Sequence, residues 1–274
     1  MPNKSSSDVT HLIFDVESVA DGALVSKVRY SDVDISDNEA IETYQDELME
    51  LHGTTFIPHT FQIPTAVVIA KVAADGSLVD LVSLDEPQFR PHVMASHFWK
   101  GWERYDHPTW VTFNGRGFDL PLMELAAFRY GISLKKWFSG GGYSARRNRY
   151  NKESHLDLQD VLTNYGAARC HGGLHLVANL IAKPGKLGMR GDQVQEQFNR
   201  GNLMAISNYC RCDVLDTYFV FLRMRTVMGD WDVKHENKLV CQAKEFLEKR
   251  VDENEAYQDY LGHWGDWMDP WCDD

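Results

Sequence analysis

Cysteine is scarce in this chain, and long apolar runs are missing. The five cysteines are Cys170, Cys210, Cys212, Cys241 and Cys272. An odd number without paired spacing, apart from one Cys-x-Cys, excludes a disulfide framework and indicates reduced thiols. No run approaches the roughly 20 apolar residues that cross a bilayer, and the polar start, residues 1–10, lacks the apolar core of a signal peptide. We therefore expect a cytoplasmic protein with no membrane partner.

Positive charge is also in short supply, since the net charge is -12. This balance argues against a nucleic-acid partner until its distribution is considered. Residues 31–50 and residues 251–274 each hold eight acids and no Lys or Arg. Without these sixteen of the 40 acids, 24 acids face 28 bases, so the rest of the chain is mildly basic. With 43% hydrophobic residues and 8 Trp, that remainder can fill the core of a large α/β domain.

One segment, residues 132–152, contains bases but no acid. Its bases are Lys135, Lys136, Arg146, Arg147, Arg149 and Lys152, and three glycines and several aromatic residues lie among them. This composition predicts a flexible loop that holds a phosphate backbone and stacks on bases. A basic loop that is merely solvated is the alternative.

The first apolar run meets two carboxylates that are one residue apart. Residues 11–18 predict a β-strand, on which Asp15 and Glu17 share one face while Phe14 and Val16 point to the other. Two anions this close repel each other, and their hard oxygen ligands suit Mg²⁺ or Mn²⁺. The alternative is a strand that runs out into an acidic turn.

A second motif follows a later strand. Residues 65–72 and 78–84 predict two strands joined by a tight turn, so that the first three strands form an antiparallel unit. A helix is predicted to open at Pro87, and the strand 109–113 then leads into a glycine-rich turn. That turn contains Asn114 and Phe118 and ends at Asp119, at the start of the next helix. Asp119 is either the N-cap of this helix or a third carboxylate at the same sheet edge. Later in the chain, Asp157 is expected to cap or solvate an edge strand rather than to bind a metal.

The third motif lies on a long helix predicted over about 202–228. Tyr209 and Asp213 are four residues apart and therefore lie on one face, near apolar residues that draw Asp213 toward the core. Because a buried, unpaired carboxylate is costly, this position favours a metal or another cation nearby. Cys210 and Cys212 diverge by about 200° on a helix and are expected to be packing residues.

Taken together, the pairs Asp15/Glu17 and Tyr209/Asp213 and the turn from Asn114 to Asp119 resemble the motifs of the DEDD superfamily of 3′-5′ exonucleases, tyrosine subtype. The resemblance covers order and spacing over roughly residues 12–225. The segments 113–123, 155–162 and 209–223 look closest to the predicted exonucleases related to the proofreading domain of B-family DNA polymerases. The long acidic excursion and the Trp-rich C-terminal extension depart from this pattern.

The resemblance implies a ribonuclease H-like α/β fold, in which helices flank a mixed five-stranded sheet. It also implies hydrolysis at the free 3′ end of a nucleic acid, with DNA favoured, by two Mg²⁺ or Mn²⁺ ions roughly 3.5–4 Å apart. Asp15 would bridge the ions, Glu17 and Asp213 would complete the site of the water-activating ion, and Asp119 would hold the second. Tyr209 would orient the attacking water, since a phenol pKa near 10 makes it a poor base. The expected substrate-binding residues are Asn114, Phe118, Arg146, Arg147 and Arg149.

We expect residues 1–230 to form the exonuclease domain, with an acidic insertion at about 28–60 and the basic loop at about 132–152. Residues 231–274 are expected to add a helix and an acidic Trp-rich tail, a candidate contact for a protein partner. Two other functions stay open. One is a catalytically silent module that binds nucleic acid or a partner on the same fold, and the other is a metal phosphohydrolase for small phosphoesters. The motifs do not separate DNA from RNA, and they do not fix the oligomeric state.

Overall fold

A computed structural model describes residues 9–189 and 191–271, without the side chain of Asp192. Cys272 and most of the polar start lie outside the described residues. Strands cover Val9–Ala20 (β1), Gln62–Ala73 (β2), Leu78–Ser83 (β3), Thr109–Thr112 (β4) and His155–Asp157 (β5). Helices cover Gly22–Arg29 (α1), Asp37–His52 (α2), Pro91–Arg104 (α3), Asp119–Tyr130 (α4), Leu158–Leu162 (α5), Gly173–Leu180 (α6), Val194–Asn199 (α7), Leu203–Val227 (α8), Val233–Glu248 (α9) and Glu255–Gly262 (α10).

The strands form one mixed sheet of five strands in the order β3-β2-β1-β4-β5. β1, β2 and β3 pair antiparallel, whereas β4 and β5 continue the sheet parallel to β1. The predicted five-stranded sheet with an antiparallel first unit is therefore confirmed. The register places Ile13 beside Val111, so the later residues of β1 lie level with the chain that leaves β4.

Alternating side chains of β1 contribute to two separate cores. Phe14 and Val16 pack with α3 and α4 on one face, whereas Ile13 packs with α8 on the other. Because side chains alternate along a strand, Asp15 and Glu17 share the face of Ile13 and lie beneath α8. The sheet's alternation thus decides which helix can meet the two carboxylates.

Helix α8 is the central helix on that face of the sheet. It packs across β1 and β2, and α6, α9 and α10 lie against it. Most of its residues from Ile206 to Met224 are buried. A helix buried on nearly all sides needs few polar side chains, so the acids that it does bury are informative.

The acidic segment between β1 and β2 is a helical hairpin with a small core of its own. The sequence left open whether this segment is a surface helix or a mobile excursion, and it forms α1 and α2. Ser36 and Glu39 form a capping box at the start of α2. The buried face of the hairpin contains Val25, Ala40, Ile41, Tyr44, Leu48 and Ile57. The acids of α2 are mostly on its outer side, where water solvates them.

Two helix predictions differ from the structure. The helix predicted to open at Pro87 begins at Pro91, which occupies the first helical turn where a missing N–H has no cost. Helix α10 was not predicted, because its eight residues lie in the segment that was expected to be an acidic Trp-rich tail. Cys170, Cys210, Cys212 and Cys241 are free thiols, as expected. Among the described residues, no helix is both long and apolar enough to pass through a bilayer.

Candidate functional site

The packing of α8 on β1 brings three carboxylates together. Asp15 and Glu17 project from β1, and Asp213 projects from α8 toward them. One carboxylate oxygen from each of the three lies within 4.8 Å of the other two. Cys210 shows how close the helix approaches, since its Sγ lies 3.3 Å from the backbone oxygen of Asp15 and 3.5 Å from Oδ2. Residues almost two hundred positions apart therefore share one site.

Asp119 adds a fourth carboxylate at the same place. It is the first residue of α4 and not its N-cap, which is Phe118. Its Oδ1 accepts a hydrogen bond from the backbone N–H of Val16, at 3.0 Å. Since Val16 lies between Asp15 and Glu17, this bond fixes Asp119 beside both, and its charge raises the pKa of each.

Burial and mutual repulsion raise the pKa of every acid in this group. Burial raises the pKa of Asp15 to about 8, with a further contribution from Asp119. Burial also raises the pKa of Asp119 and of Asp213 to about 7. The pKa of Glu17 lies well above its usual value, because of burial and then the charge of Asp15. Near neutral pH, a cation bound among these acids would lower their pKa values and stabilise their ionised form.

The size of the repulsion shows that these acids cannot all stay ionised unaided. Two unit charges 4.8 Å apart repel by about 3.5 kcal/mol at an effective dielectric constant near 20, so the three pairs among Asp15, Glu17 and Asp213 approach the whole stability of a domain. Oδ1 of Asp213 is buried and has no hydrogen-bond partner among the described residues. An oxygen-only donor set with an unused buried oxygen fits a hard divalent cation such as Mg²⁺ or Mn²⁺.

Tyr209 lies one helical turn before Asp213 and next to the same group. Tyr209 is buried, with 4% of its surface exposed. Burial raises the pKa of its hydroxyl, and the charges of Asp213, Glu17 and Asp15 add to the effect. The hydroxyl therefore stays protonated and acts as a hydrogen-bond donor at this site.

Lys186 supplies positive charge that sequence reasoning did not assign to the site. It lies in the loop after α6, and its charge lowers the pKa of Asp15, Glu17 and Asp213. Lys186 was visible only as one of several bases in a Pro-Gly linker. No spacing rule could place it, because a loop without regular structure has no fixed period.

A cleft of about 640 Å³ leads away from Glu17. Phe56 and Phe118 form an aromatic wall, with ring centroids 5.7 Å apart, and Lys186 also lines the cleft. Phe56 is 57% exposed, although it is a large apolar residue. The sequence predicted Phe118 as a site residue, whereas Phe56 was missed because it lies in the acidic insertion.

Asn114 lies at the turn after β4, where Asp157 holds the backbone. The N–H groups of Asn114 and Arg116 donate to the two carboxylate oxygens of Asp157, each at 2.9 Å. Asp157 also caps α5, as its expected structural role requires. Asn114 itself has a positive φ of 67° and accepts a hydrogen bond from Gln159 at 3.0 Å. Its side chain is exposed.

The predicted basic-loop arginines already contact other side chains of the protein. Arg147 forms a bidentate ion pair with Glu124, with N–O distances of 2.7 and 2.8 Å. Arg149 pairs with Asp160 at 2.8 Å, and Arg146 lies over the ring of Trp102. The chain that follows the loop meets the start of β4, where the backbone N–H of Trp110 donates to the backbone oxygen of Ser154. The carboxylates of β1 lie level with the opposite end of β4.

Comparisons with known proteins agree with this architecture. Residues 54–264 match the model of a family described as predicted 3′-5′ exonuclease related to the exonuclease domain of PolB. The chain is also similar to the family B DNA polymerase from the hyperthermophilic archaeon Pyrobaculum calidifontis, with a TM-score of 0.50 and 14% identity. That similarity covers 79% of this chain and 24% of the polymerase, so the chain spans about a quarter of its length. At this identity the similarity shows the fold alone, and the fold is ribonuclease H-like. No curated protein matches the chain.

Proposed function

Because this chain belongs to the family of predicted 3′-5′ exonucleases related to the exonuclease domain of PolB, we propose that it is a metal-dependent nuclease of the DEDD superfamily, tyrosine subtype. It removes nucleoside 5′-monophosphates from the 3′ end of a nucleic acid. The observation that carries this proposal is the meeting of Asp15, Glu17 and Asp213, with ligand oxygens within 4.8 Å of one another.

The metal ligands in this proposal are Asp15, Glu17, Asp119 and Asp213, and the cations are Mg²⁺ or Mn²⁺. When bound, two such ions make water nucleophilic near neutral pH and stabilise the charge on the leaving oxygen. The protein contributes a fixed set of oxygens: β1 holds two of them, α8 a third, and the Val16 N–H orients Asp119. A site fixed in this way loses little free energy to reorganisation when it binds its ions.

Tyr209 positions the attacking water through its hydroxyl. Burial and the neighbouring acids raise its pKa, so it keeps its proton and donates rather than abstracts. Asp213, one turn away, holds that hydroxyl on the side of the carboxylates. The tyrosine therefore orients the water, and bound ions would promote its deprotonation.

The 3′ end enters through the cleft beside Glu17. Its wall of Phe56 and Phe118 offers flat apolar faces to bases, and Lys186 offers a charge to phosphate. A second cleft next to residues 187–189 reaches Tyr209, but Glu255 and Asp259 also line it. Phosphates are repelled there, so the two clefts differ in which one admits a strand.

Asn114 contacts the terminal nucleotide. A phosphate contact by Arg146, Arg147 or Arg149 was predicted farther from the end, but Arg147 and Arg149 would first have to release Glu124 and Asp160. The assignment of the three arginines stays a prediction from composition. DNA is the favoured substrate because the family is related to the exonuclease domain of a DNA polymerase.

The test uses 5′-labelled oligonucleotides of single- and double-stranded DNA and RNA, each with Mg²⁺, Mn²⁺ or EDTA. We expect a ladder that shortens from the 3′ end with either metal and disappears in EDTA. Asp213→Asn should abolish it, whereas the matched control Asp46→Asn, on the exposed side of α2, should not. Cleavage that persists in EDTA and in Asp213→Asn would contradict the proposal. Metal-independent binding without turnover would instead indicate a silent binding module, and turnover of small phosphoesters alone would indicate a phosphohydrolase.

A further inference from the structure

The C-terminal segment Glu255–Trp267 contacts both elements that bring side chains to the carboxylates. Helix α10 lies along α8, which carries Tyr209 and Asp213. The residues after α10 lie against the loop that carries Lys186. One segment of chain thus contacts two walls of the site without reaching the site itself.

The contact with α8 is made through a buried acid. Asp216 lies three residues after Asp213 and seven after Tyr209, so all three share one stripe of the helix. It is 0% exposed, and its Oδ1 accepts a hydrogen bond of 2.7 Å from the hydroxyl of Tyr260 on α10. Its Oδ2 is buried and has no hydrogen-bond partner among the described residues. Burial raises its pKa to about 7.

An acid in this position does not help the protein fold. A half-satisfied buried carboxyl costs free energy that an apolar residue of similar size would not cost. Its bond to Tyr260 is directional, because it fixes the rotation and height of α8 relative to α10. The backbone N–H of Gly185, one residue before Lys186, also approaches this carboxyl and lowers its pKa. This pattern is expected where geometry matters more than stability.

The contact with the loop is made by Lys183 and Gly265. The Nζ of Lys183 donates to the backbone oxygen of Gly265 at 2.8 Å and lies 4.2 Å from the ring centroid of Trp264. A Cβ at Gly265 would come within 2.6 Å of the backbone oxygen of Ala182. Only glycine permits this approach. Gly265 therefore packs directly against the loop, at Ala182 and Lys183, three residues before Lys186.

We propose that Tyr260 and Asp216 form a positioning pair, and that the C-terminal segment joins α8 to the Lys186 loop and so fixes Tyr209, Asp213 and Lys186 relative to β1. Tyr260 and Asp216 touch neither substrate nor metal and act through α8. The inference rests on the proposed function, since it states how that site is held. It also gives the Trp-rich extension a role inside the domain.

Positioning of this kind is measurable because displacements of about 1 Å at a catalytic group cost roughly 100-fold in rate. The main variant is Tyr260→Phe, which removes one hydroxyl and keeps the ring that packs near Phe219 and Trp264. Its matched control is Tyr257→Phe on the same helix. Tyr257 is 4% exposed; burial raises the pKa of its hydroxyl, and the nearby charge of Arg211 opposes this effect.

In the full-length protein, below the Tm of every variant, we expect Tyr260→Phe to lower kcat at least about tenfold. The KM for a single-stranded oligonucleotide should change less than twofold, since the substrate cleft is untouched. Tyr260→Phe should also reduce the increase in Tm that Mn²⁺ produces, because Asp213 is less well placed. Tyr257→Phe should match the wild type in all three readouts.

Asp216 provides the conservative pair. Asp216→Asn keeps an oxygen that accepts from Tyr260 and should retain more kcat than Asp216→Ala, which keeps none. Equal kcat in Tyr260→Phe and Tyr257→Phe would overturn the inference, whether or not Asp216→Ala folds. If the wild type itself cleaves nothing, the proposed function fails, and the Mn²⁺-induced shifts in Tm of the two tyrosine variants still decide the positioning role.

Discussion

Two charged regions of this protein differ in whether their charged side chains have partners. In the basic loop, Arg147 pairs with Glu124, Arg149 pairs with Asp160, and Arg146 lies over an aromatic ring. At the meeting of β1, α4 and α8, four acids lie together. Within residues 9–189 and 191–271, none of the four forms an ion pair.

The difference separates charge that the fold neutralises from charge that it leaves for a ligand. An arginine that already has a carboxylate partner must give it up before it can bind a phosphate. A carboxylate with raised pKa and an unused oxygen gains free energy when a cation arrives. The predictions below test this contrast, beginning with the largest expected effect.

Removal of one ligand charge from the acidic group should abolish cleavage. Asp213→Asn and Asp15→Asn should each lower kcat/KM on the order of 1,000-fold, because the metal centre supplies the largest catalytic terms. Initial rates on a 5′-labelled oligonucleotide measure this, with Asp46→Asn as control. Variants that keep a tenth of the wild-type rate would remove these carboxylates from the catalytic centre.

Tyr209→Phe tests the orienting hydroxyl apart from the metal ligands. We expect kcat to fall about 100-fold, at the lower end of the range typical of one positioned proton donor or acceptor, with unchanged Mn²⁺ affinity. Rates at saturating substrate and a Mn²⁺ titration measure the two quantities. A parallel loss of Mn²⁺ binding would mean that the tyrosine supports the ligands instead of the water.

The pH dependence of metal binding should follow the raised pKa values. Asp15 titrates at about 8, and Asp119 and Asp213 at about 7, so the ions displace protons below these values. Mn²⁺ affinity should rise about tenfold per pH unit between pH 6 and 7 for each proton released. Calorimetry in buffers of different ionisation enthalpy counts those protons, and a pH-independent affinity would contradict the assignment.

The same shifts predict how the metal-free protein responds to pH. The folded pKa of Asp15 is about 8 against an ordinary 3.8, so the folded state binds more protons across this interval than the unfolded state does. Stability in EDTA should therefore decline as pH rises from about 4 to about 8. Thermal unfolding measures this decline, which Asp15→Asn should make shallower.

Phe56→Ala tests the cleft wall and should act on binding. Loss of one stacking face should raise the KM for single-stranded DNA about fivefold and leave kcat within twofold. Leu51→Ala, another exposed apolar residue of the same insertion, is the control. Equal KM values for the two variants would mean that the strand does not pass Phe56.

Arg147→Ala should have the smallest effect if the loop is neutralised internally. We expect less than a twofold change in oligonucleotide affinity and a slightly lower Tm, since partly exposed ion pairs contribute at most about 1 kcal/mol. Binding isotherms at several salt concentrations measure both affinity and its salt dependence. A weaker affinity that also depends less on salt concentration would show that Arg147 contacts a phosphate, as its sequence context predicted.

Sequence reasoning reached the fold and the carboxylates because both follow strong local rules. The period of two along β1 put Asp15 and Glu17 on one face, and the helical period put Tyr209 and Asp213 on another. Antiparallel and parallel pairing then left one place where these faces could meet. The start of α3 was misplaced, because Pro87 and Pro91 give the same signal.

The remaining site features depend on contacts that no period encodes. Lys186 and Phe56 come from irregular segments, and their places follow from tertiary packing. Nothing in the sequence distinguishes Tyr260 and Asp216 from other core residues, and only the packing of α10 against α8 reveals their bond. Arg147 looked free because its partner, Glu124, lies on a helix 23 residues away in sequence.

A titration of the protein with Mn²⁺, in which electron paramagnetic resonance reports the free ion, tests the central claim most directly. The wild type should bind two ions saturably, and Asp213→Asn should lose at least one of them. A wild type that binds no Mn²⁺ at millimolar concentration, or an Asp213→Asn variant with the wild-type isotherm, would contradict the account.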